Sequence, residues 1–296
     1  MNTLEQAQLT HELQDTSFYD QIAKDCTKDL IILLSERGHG KSTSLKTIVD
    51  HCKRIHPNLS FKIFDVSQAW YHNAPVQHRQ FVNGVNVVAN LDDCVYEIGA
   101  LNEAQRREFV GGVVKQDWDY RYNLKLLNPY ALESLPWVIY VFEEANVYFG
   151  SYSFRKNDAF SQVLQDFVSV GRNYRLGGFL VATAEQGEIS PSLRRRTKKL
   201  YGKIISKGDL SLAKQYDKEL PDKLKAMKRF HFLYYSGKTY GPVKIPDIVK
   251  TVPVNYIPPV YEGSVGPSAD WWFKFLVKVM GFSILLCLAF RYFGFM

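Results

Sequence analysis

Short continuous apolar runs alternate along this chain with longer stretches in which apolar residues recur every three or four positions. The runs Leu30–Leu34, Phe61–Val66, Val138–Phe142, Phe179–Thr183 and Leu200–Ile205 have the length of buried strands, and Val85–Val88 is a weaker one. Between them, Lys41–Arg54 lines up Leu45, Ile48, Val49 and Cys52 at helical spacing. Residues 101–124 do the same with Leu101, Ala104, Phe109 and Val113, and residues 158–174 with Phe160, Val163, Leu164, Phe167, Val168 and Val170. Apolar strands separated by helices predict an α/β fold, with a mainly parallel sheet covered on both faces. Residues 230–245 then read as a β-hairpin turning at Ser236-Gly237-Lys238. No internal repeat or low-complexity tract interrupts this order.

The two ends differ from the middle. Residues 1–28 are a polar, helix-compatible extension, without the basic-then-apolar order of an export signal. The body predicted from the pattern is residues 29–250. Residues 251–270 form a linker, with four of the chain's 12 prolines between 252 and 268. From Trp271 to Met296 the pattern predicts a single membrane helix. Phe275 to Phe295 is long enough to span if Lys278 and Arg291 snorkel to opposite interfaces. Trp271, Trp272, Tyr292 and Phe293 would form the aromatic rims. A core helix would have to bury Lys274, Lys278 and Arg291, and a helix lying in the membrane plane is the other arrangement the pattern allows. The flanking lysines put the body on the cytoplasmic side, at a host inner membrane or in a virion.

Composition narrows the class. With 46% hydrophobic and 23% charged residues, the chain is neither a disordered tail, a collagen-like fibre nor a polytopic membrane protein. The net charge of +7 suits a polyanionic partner. Cys26, Cys52, Cys94 and Cys287 form no CxxC pair, which argues against a zinc ribbon or a disulfide framework.

The chemistry begins directly after the first apolar run, at Ser35-Glu36-Arg37-Gly38-His39-Gly40-Lys41-Ser42. A phosphate-binding loop needs a buried strand to deliver it and glycines that let backbone N–H groups close on phosphate. It also needs a Lys for the β- and γ-phosphates, a hydroxyl for Mg²⁺ and a helix starting at that point. All are in register here, so Gly38, His39, Gly40, Lys41, Ser42 and Thr43 are candidate ATP-binding residues, His39 through its main chain. Ser35 departs from the pattern by standing where the first glycine is usual. About 100 residues later, Glu143 and Glu144 end the apolar run from Trp137. Acids at the carboxyl end of a buried strand sit where open α/β sheets gather their sites. Glu143 is the candidate Mg²⁺ ligand with Ser42, and Glu144 the group that activates the attacking water.

These motifs, with the later run VGRNYRLGGFLVATAEQGEISPSLRRR, resemble the HerA/FtsK superfamily of additional-strand, RecA-like P-loop ATPases, which includes viral genome-packaging ATPases. The resemblance covers about residues 28–206. It implies that Thr183 or Gln186 senses the γ-phosphate and that Arg172 or Arg175 is an arginine finger completing a neighbouring subunit's site. It also implies a homo-oligomer, usually a hexameric ring, that draws DNA through a channel and works with capsid or assembly proteins. Arg194, Arg195 and Arg196, with Lys198 and Lys199, are the densest positive cluster and the candidate DNA contact. Arg106 and Arg107 read instead as a solvent face.

Two functions fit. One is an ATP-driven DNA translocase, a packaging ATPase anchored in a membrane. The other is an assembly ATPase resembling the zonula occludens toxin-like proteins of filamentous phages, which drive extrusion. The latter usually carry a further domain beyond the membrane helix, so a chain stopping five residues past Arg291 favours the former. A nucleotide-binding scaffold that has lost turnover is a third, non-enzymatic reading.

Overall fold

The computed structural model describes residues 17–70, 74–85, 92–150, 158–184 and 188–245, and the backbone of 255–257. Ten strands form one sheet in the order β10-β3-β4-β2-β5-β6-β1-β7-β8-β9. The strands are β1 (Leu30–Leu34), β2 (Leu59–Asp65), β3 (His78–Phe81), β4 (Cys94–Glu97), β5 (Trp137–Phe142), β6 (Leu176–Ala182), β7 (Lys198–Tyr201), β8 (His231–Tyr235), β9 (Thr239–Lys244) and β10 (Asn255–Ile257). Pairing is parallel from β10 through to β7, while β8 and β9 add an antiparallel hairpin. One strand, β6, separates the loop-bearing β1 from the acid-bearing β5, in register with both. That additional strand agrees with the architecture expected from the motifs.

The central strands are buried on both faces because alternate side chains enter two separate cores. Ile32 and Leu34 of β1, with Val138, Tyr140 and Phe142 of β5, meet α3 (Glu103–Leu127) and α6 (Ala159–Val170). Ile31 and Leu33, with Ile139 and Val141, face the other way. There they pack on α2 (Lys41–Ile55) and on α1, residues 17–25, whose Phe18, Ile22 and Ala23 are fully buried. The smaller helices are α4 (Pro129–Ser134), α5 (Ala145–Phe149), α7 (Pro191–Arg194), α8 (Lys207–Tyr216) and α9 (Leu220–Lys225).

Several expectations are corrected. β3 and β4 are not legible as apolar runs, because β3 reads His-Arg-Gln-Phe and an Arg79–Glu97 ion pair joins the two strands. Val85 is not in a strand, and residues 86–88 lie outside the described residues. β7 stops at Tyr201 rather than running to Ile205. Residues 255–257, inside the segment read as a linker, form β10. Arg107 is no solvent-face residue: it is buried and donates to the Val147 carbonyl at 3.0 Å and to Ser161 Oγ at 3.2 Å. Asp117 on α3 accepts the Lys62 ammonium at 2.8 Å and the Tyr140 hydroxyl at 2.6 Å, fastening that helix to β2 and β5. Residues 1–16 and 271–296, Cys287 among them, lie outside the described residues. Among the described ones, no helix is long and apolar enough to cross a membrane.

Candidate nucleotide site

The loop from β1 to α2 takes its shape from two glycines. Gly38 and Gly40 have φ of 76° and 85°, the left-handed region where a side chain is strained. Gly40 caps α2 without any side-chain hydrogen bond, and no acid occupies the first turn of the helix. The positive end of α2 is therefore left for an external anion. Lys41 Nζ folds over the loop, donating to the carbonyls of Ser35 at 2.7 Å and Glu36 at 3.3 Å. Partial burial lowers the Lys41 pKa, with Glu188 acting in the opposite direction. The His39 N–H turns back to the Glu36 carbonyl at 3.4 Å. Burial, and then Lys203, lower the pKa of its ring.

Ser35 keeps its place without a glycine's freedom, since it is not among the residues at positive φ. Its side chain is fully buried, and its hydroxyl has no partner. Room comes from Gly202 just beyond β7, where a Cβ would stand 2.4 Å from Ser35 Oγ. A glycine on the neighbouring strand end thus replaces the one missing from the loop.

Glu143 follows β5 and is 4% exposed. Its Oε1 accepts from Ser42 Oγ at 2.7 Å and from Trp70 Nε1 at 2.9 Å, and its Oε2 from Ser67 Oγ at 3.0 Å. Burial, and then the neighbouring Asp65 carboxylate, push its pKa up to about 7 against the pull of those three donors. Asp65 ends β2 and accepts the backbone N–H groups of Ser67, Ala69 and Trp70 between 2.9 and 3.1 Å. That turn holds Ser67 and Trp70 against Glu143. Glu144 is different. It sits at φ 51°, unusual for a side-chain-bearing residue, and its carboxylate is half exposed, 3.4 Å from Arg106 Nη1.

One cavity of about 840 Å³ gathers Lys41, Ser42, Glu143, Glu144, Thr183 and Arg229. Gly38, Gly40 and Thr43 line it as well. Thr183, just past the end of β6, donates its N–H to Glu188 Oε2 at 2.9 Å. Gln186 lies outside the described residues. Arg106, read as solvent-facing, is a wall of this cavity, as are Glu188 and Arg229. Sequence reasoning missed those roles, together with Ser67 and Trp70. The one signal available for the last two was their position just past the carboxyl end of a strand.

Arg172 and Arg175 lie elsewhere. They flank the start of β6, six residues and so ~20 Å from the end that lines the cavity. Neither reaches the phosphate loop of its own chain. Arg175 stacks on the Trp137 ring at 5.3 Å, and Arg172 shares a smaller hollow with Lys28 and Arg196. Arg195 and Arg196 are exposed, Arg194 is half-buried, and Lys198 is 3.9 Å from Asp29. Lys199 leaves the expected cluster: it is 1% exposed and donates to the Arg194 carbonyl and to Thr197.

No family model matches this chain, and no curated protein does either. Solved structures do. The genome packaging NTPase B204 from Sulfolobus turreted icosahedral virus 2, in complex with ATP-gammaS, is 14% identical, with a TM-score of 0.51 over 73% of this chain and 98% of that one. The same NTPase in complex with sulfate is 16% identical, also with a TM-score of 0.51, over the same shares of the two chains. With a glycine-shaped loop on β1, paired acids after β5 and one strand between them, this chain shares the fold of that packaging NTPase.

Proposed function

We propose that this chain hydrolyses ATP to move DNA, as the genome-packaging motor of a virus or phage, working as a ring and held at a membrane by residues 271–296. The observation that carries the reading is the meeting of Ser42 and Glu143. A hydroxyl from α2 and a carboxylate from β5, 101 residues apart, come within 2.7 Å beside a lysine and a second acid in one cavity. The fold shared with a packaging NTPase that takes ATP-gammaS supports it.

The residues divide the work. The first-turn N–H groups of α2 and the Lys41 ammonium hold and neutralise the β- and γ-phosphates. Ser42 and Glu143 offer hard oxygen donors suited to Mg²⁺, and the hydrogen-bond partners of the buried Glu143 carboxylate are the neutral Ser42, Ser67 and Trp70. When bound there, Mg²⁺ supplies positive charge to the β- and γ-phosphate oxygens. Glu144, left half exposed on the cavity wall, orients the attacking water and takes its proton, and Arg106 keeps its carboxylate in place. Thr183 or Gln186 reads whether a γ-phosphate is present. Arg172, far from its own loop, acts on a neighbouring subunit, and Arg194, Arg195 and Arg196 meet DNA phosphates.

Hydrolysis by the full chain, measured with and without duplex and single-stranded DNA, tests this. Strong stimulation by duplex DNA supports packaging, whereas indifference to both supports an assembly ATPase acting on protein subunits. Glu144→Gln should bind ATP and fail to turn it over. Unchanged turnover in that variant would show that the acid pair has been misread, and absence of turnover in the unaltered chain would leave a nucleotide-binding scaffold.

A further inference from the structure

The strand order gives the cavity two sides. Glu143, Glu144 and Thr183 stand at the ends of β5 and β6, on one side of β1, while β7, β8 and β9 lie on the other. On the reading above, the first side holds the γ-phosphate. The rest of a nucleotide stretched along the phosphate loop then points toward β8. Arg229 enters the cavity from that side, on the turn that leads into β8.

This turn is tied to the phosphate loop itself. Phe230 N–H donates to the His39 carbonyl at 3.3 Å, and Ile245 N–H donates to the Phe230 carbonyl at 2.8 Å. The Phe230 ring occupies the space that a side chain on Gly40 would need, with ring carbons 2.3 Å from an added Cβ. Phe230 has φ 61°, a strained value for an aromatic residue, so the surrounding contacts hold the turn in a conformation it would not choose alone. Arg229, next to it, lays its guanidinium 4.7 Å from the centre of the Phe230 ring. The residue is otherwise exposed and lines the cavity.

We infer that Arg229 binds the base end of the nucleotide in cis, its guanidinium lying between the Phe230 ring and a purine. The inference rests on the ATP reading of the cavity. A guanidinium stacks on aromatic rings and also donates in its own plane, which suits a nucleobase better than the compact ammonium of lysine does. Stacking is tolerant of base identity, so Arg229 sets affinity for nucleosides over bare polyphosphate more than it selects one purine.

Calorimetric titration of the full chain, Arg229→Ala and Arg229→Lys with ATP, ADP and inorganic tripolyphosphate tests this. Arg229→Ala should weaken ATP and ADP by the same factor, ~10-fold. Tripolyphosphate binding should change far less, the loss in hydrolysis should fall on KM rather than kcat, and Arg229→Lys should not recover it. The melting temperature of each nucleotide-free variant checks folding, and Arg229→Gln serves if the alanine variant unfolds. An equal loss for tripolyphosphate would make Arg229 a phosphate contact. A loss confined to ATP, with a fall in kcat, would make it a γ-phosphate group. Unchanged binding would make it a spectator, and each of these three overturns the inference while leaving the ATP site standing. An unaltered chain that binds neither nucleotide would overturn the ATP reading and this inference together.

Discussion

In the variant Gly202→Ala, the new methyl group would stand 2.4 Å from Ser35 Oγ, 2.7 Å from Ser35 Cβ and 3.0 Å from the edge of the Phe232 ring. Two of those contacts are closer than a Cβ tolerates, so something must move. Neither backbone is free to do so. Gly202 N–H is bonded to the Leu34 carbonyl at 2.7 Å, and Glu36 N–H to the Lys203 carbonyl at 3.0 Å, which pins both sides of the clash. Overpacking of this kind costs about 1–3 kcal/mol, and two conflicting atoms of a buried residue put the value near the middle, about 2 kcal/mol. For a domain of this size that lowers the melting temperature by roughly 4–8 °C. The cost should reach the site as well, because the Ser35 carbonyl is a Lys41 partner, so ATP affinity should fall with stability. Ser35→Gly removes both clashing atoms. Alone, it relieves a buried hydroxyl that has no partner and adds backbone freedom, two effects of about 1 kcal/mol that oppose each other. Combined with Gly202→Ala, it should restore most of the loss. Urea unfolding of the four proteins then gives a double-mutant cycle with a coupling of at least ~1 kcal/mol. A coupling below ~0.3 kcal/mol, with Gly202→Ala as stable as the parent, would refute the claim that Gly202 makes room for Ser35.

Other substitutions test the remaining parts. Lys41→Ala should abolish hydrolysis and weaken ATP binding in a filter or calorimetric assay, since it removes the charge facing the β- and γ-phosphates. Glu143 has a folded pKa of about 7 against an ordinary 4.5, so the folded state holds the proton more tightly. Its stabilising contribution is therefore complete below the ordinary value and is lost as pH rises through 7. In chelator-treated protein, Glu143→Gln should accordingly gain on the parent between about pH 5 and about pH 8, by on the order of 3 kcal/mol in urea unfolding. Parallel profiles would contradict it. Asp117→Ala takes away the carboxylate facing the buried Lys62 ammonium and the Tyr140 hydroxyl, and should cost about 3–5 kcal/mol in the same assay, with little change in ATP affinity per folded molecule.

Much of the site was legible because its signals are local. Glycines at positive φ, a lysine and serine opening a helix, and two acids closing an apolar run are each encoded within a few residues. The residues that surround them were not. Trp70 and Ser67 touch Glu143 from 73 and 76 residues away, and only their position just past the end of β2 hints at the site, without naming the acid they meet. Arg106 and Arg107 are adjacent in sequence, yet one reaches Glu144 and the other is buried against α6, because neighbouring helix positions point about 100° apart. β3 and β4 escaped notice for a related reason: β3 is mostly polar, and its Arg79 is paired with Glu97 of β4 across the two strands, so no apolar run betrays them.

By itself the sequence determined the class of fold and the phosphate loop. Burying both faces of a strand demands a continuous apolar run, and a tight anion-binding turn demands glycine at set positions. Tertiary structure alone decided the strand order, which places β6 between loop and acids, the packing of Ser35 against Gly202, and the arrival of Arg229 beside the loop. Those depend on which distant segments share a sheet edge, a choice made by the summed burial of two cores and written in no single stretch of the chain.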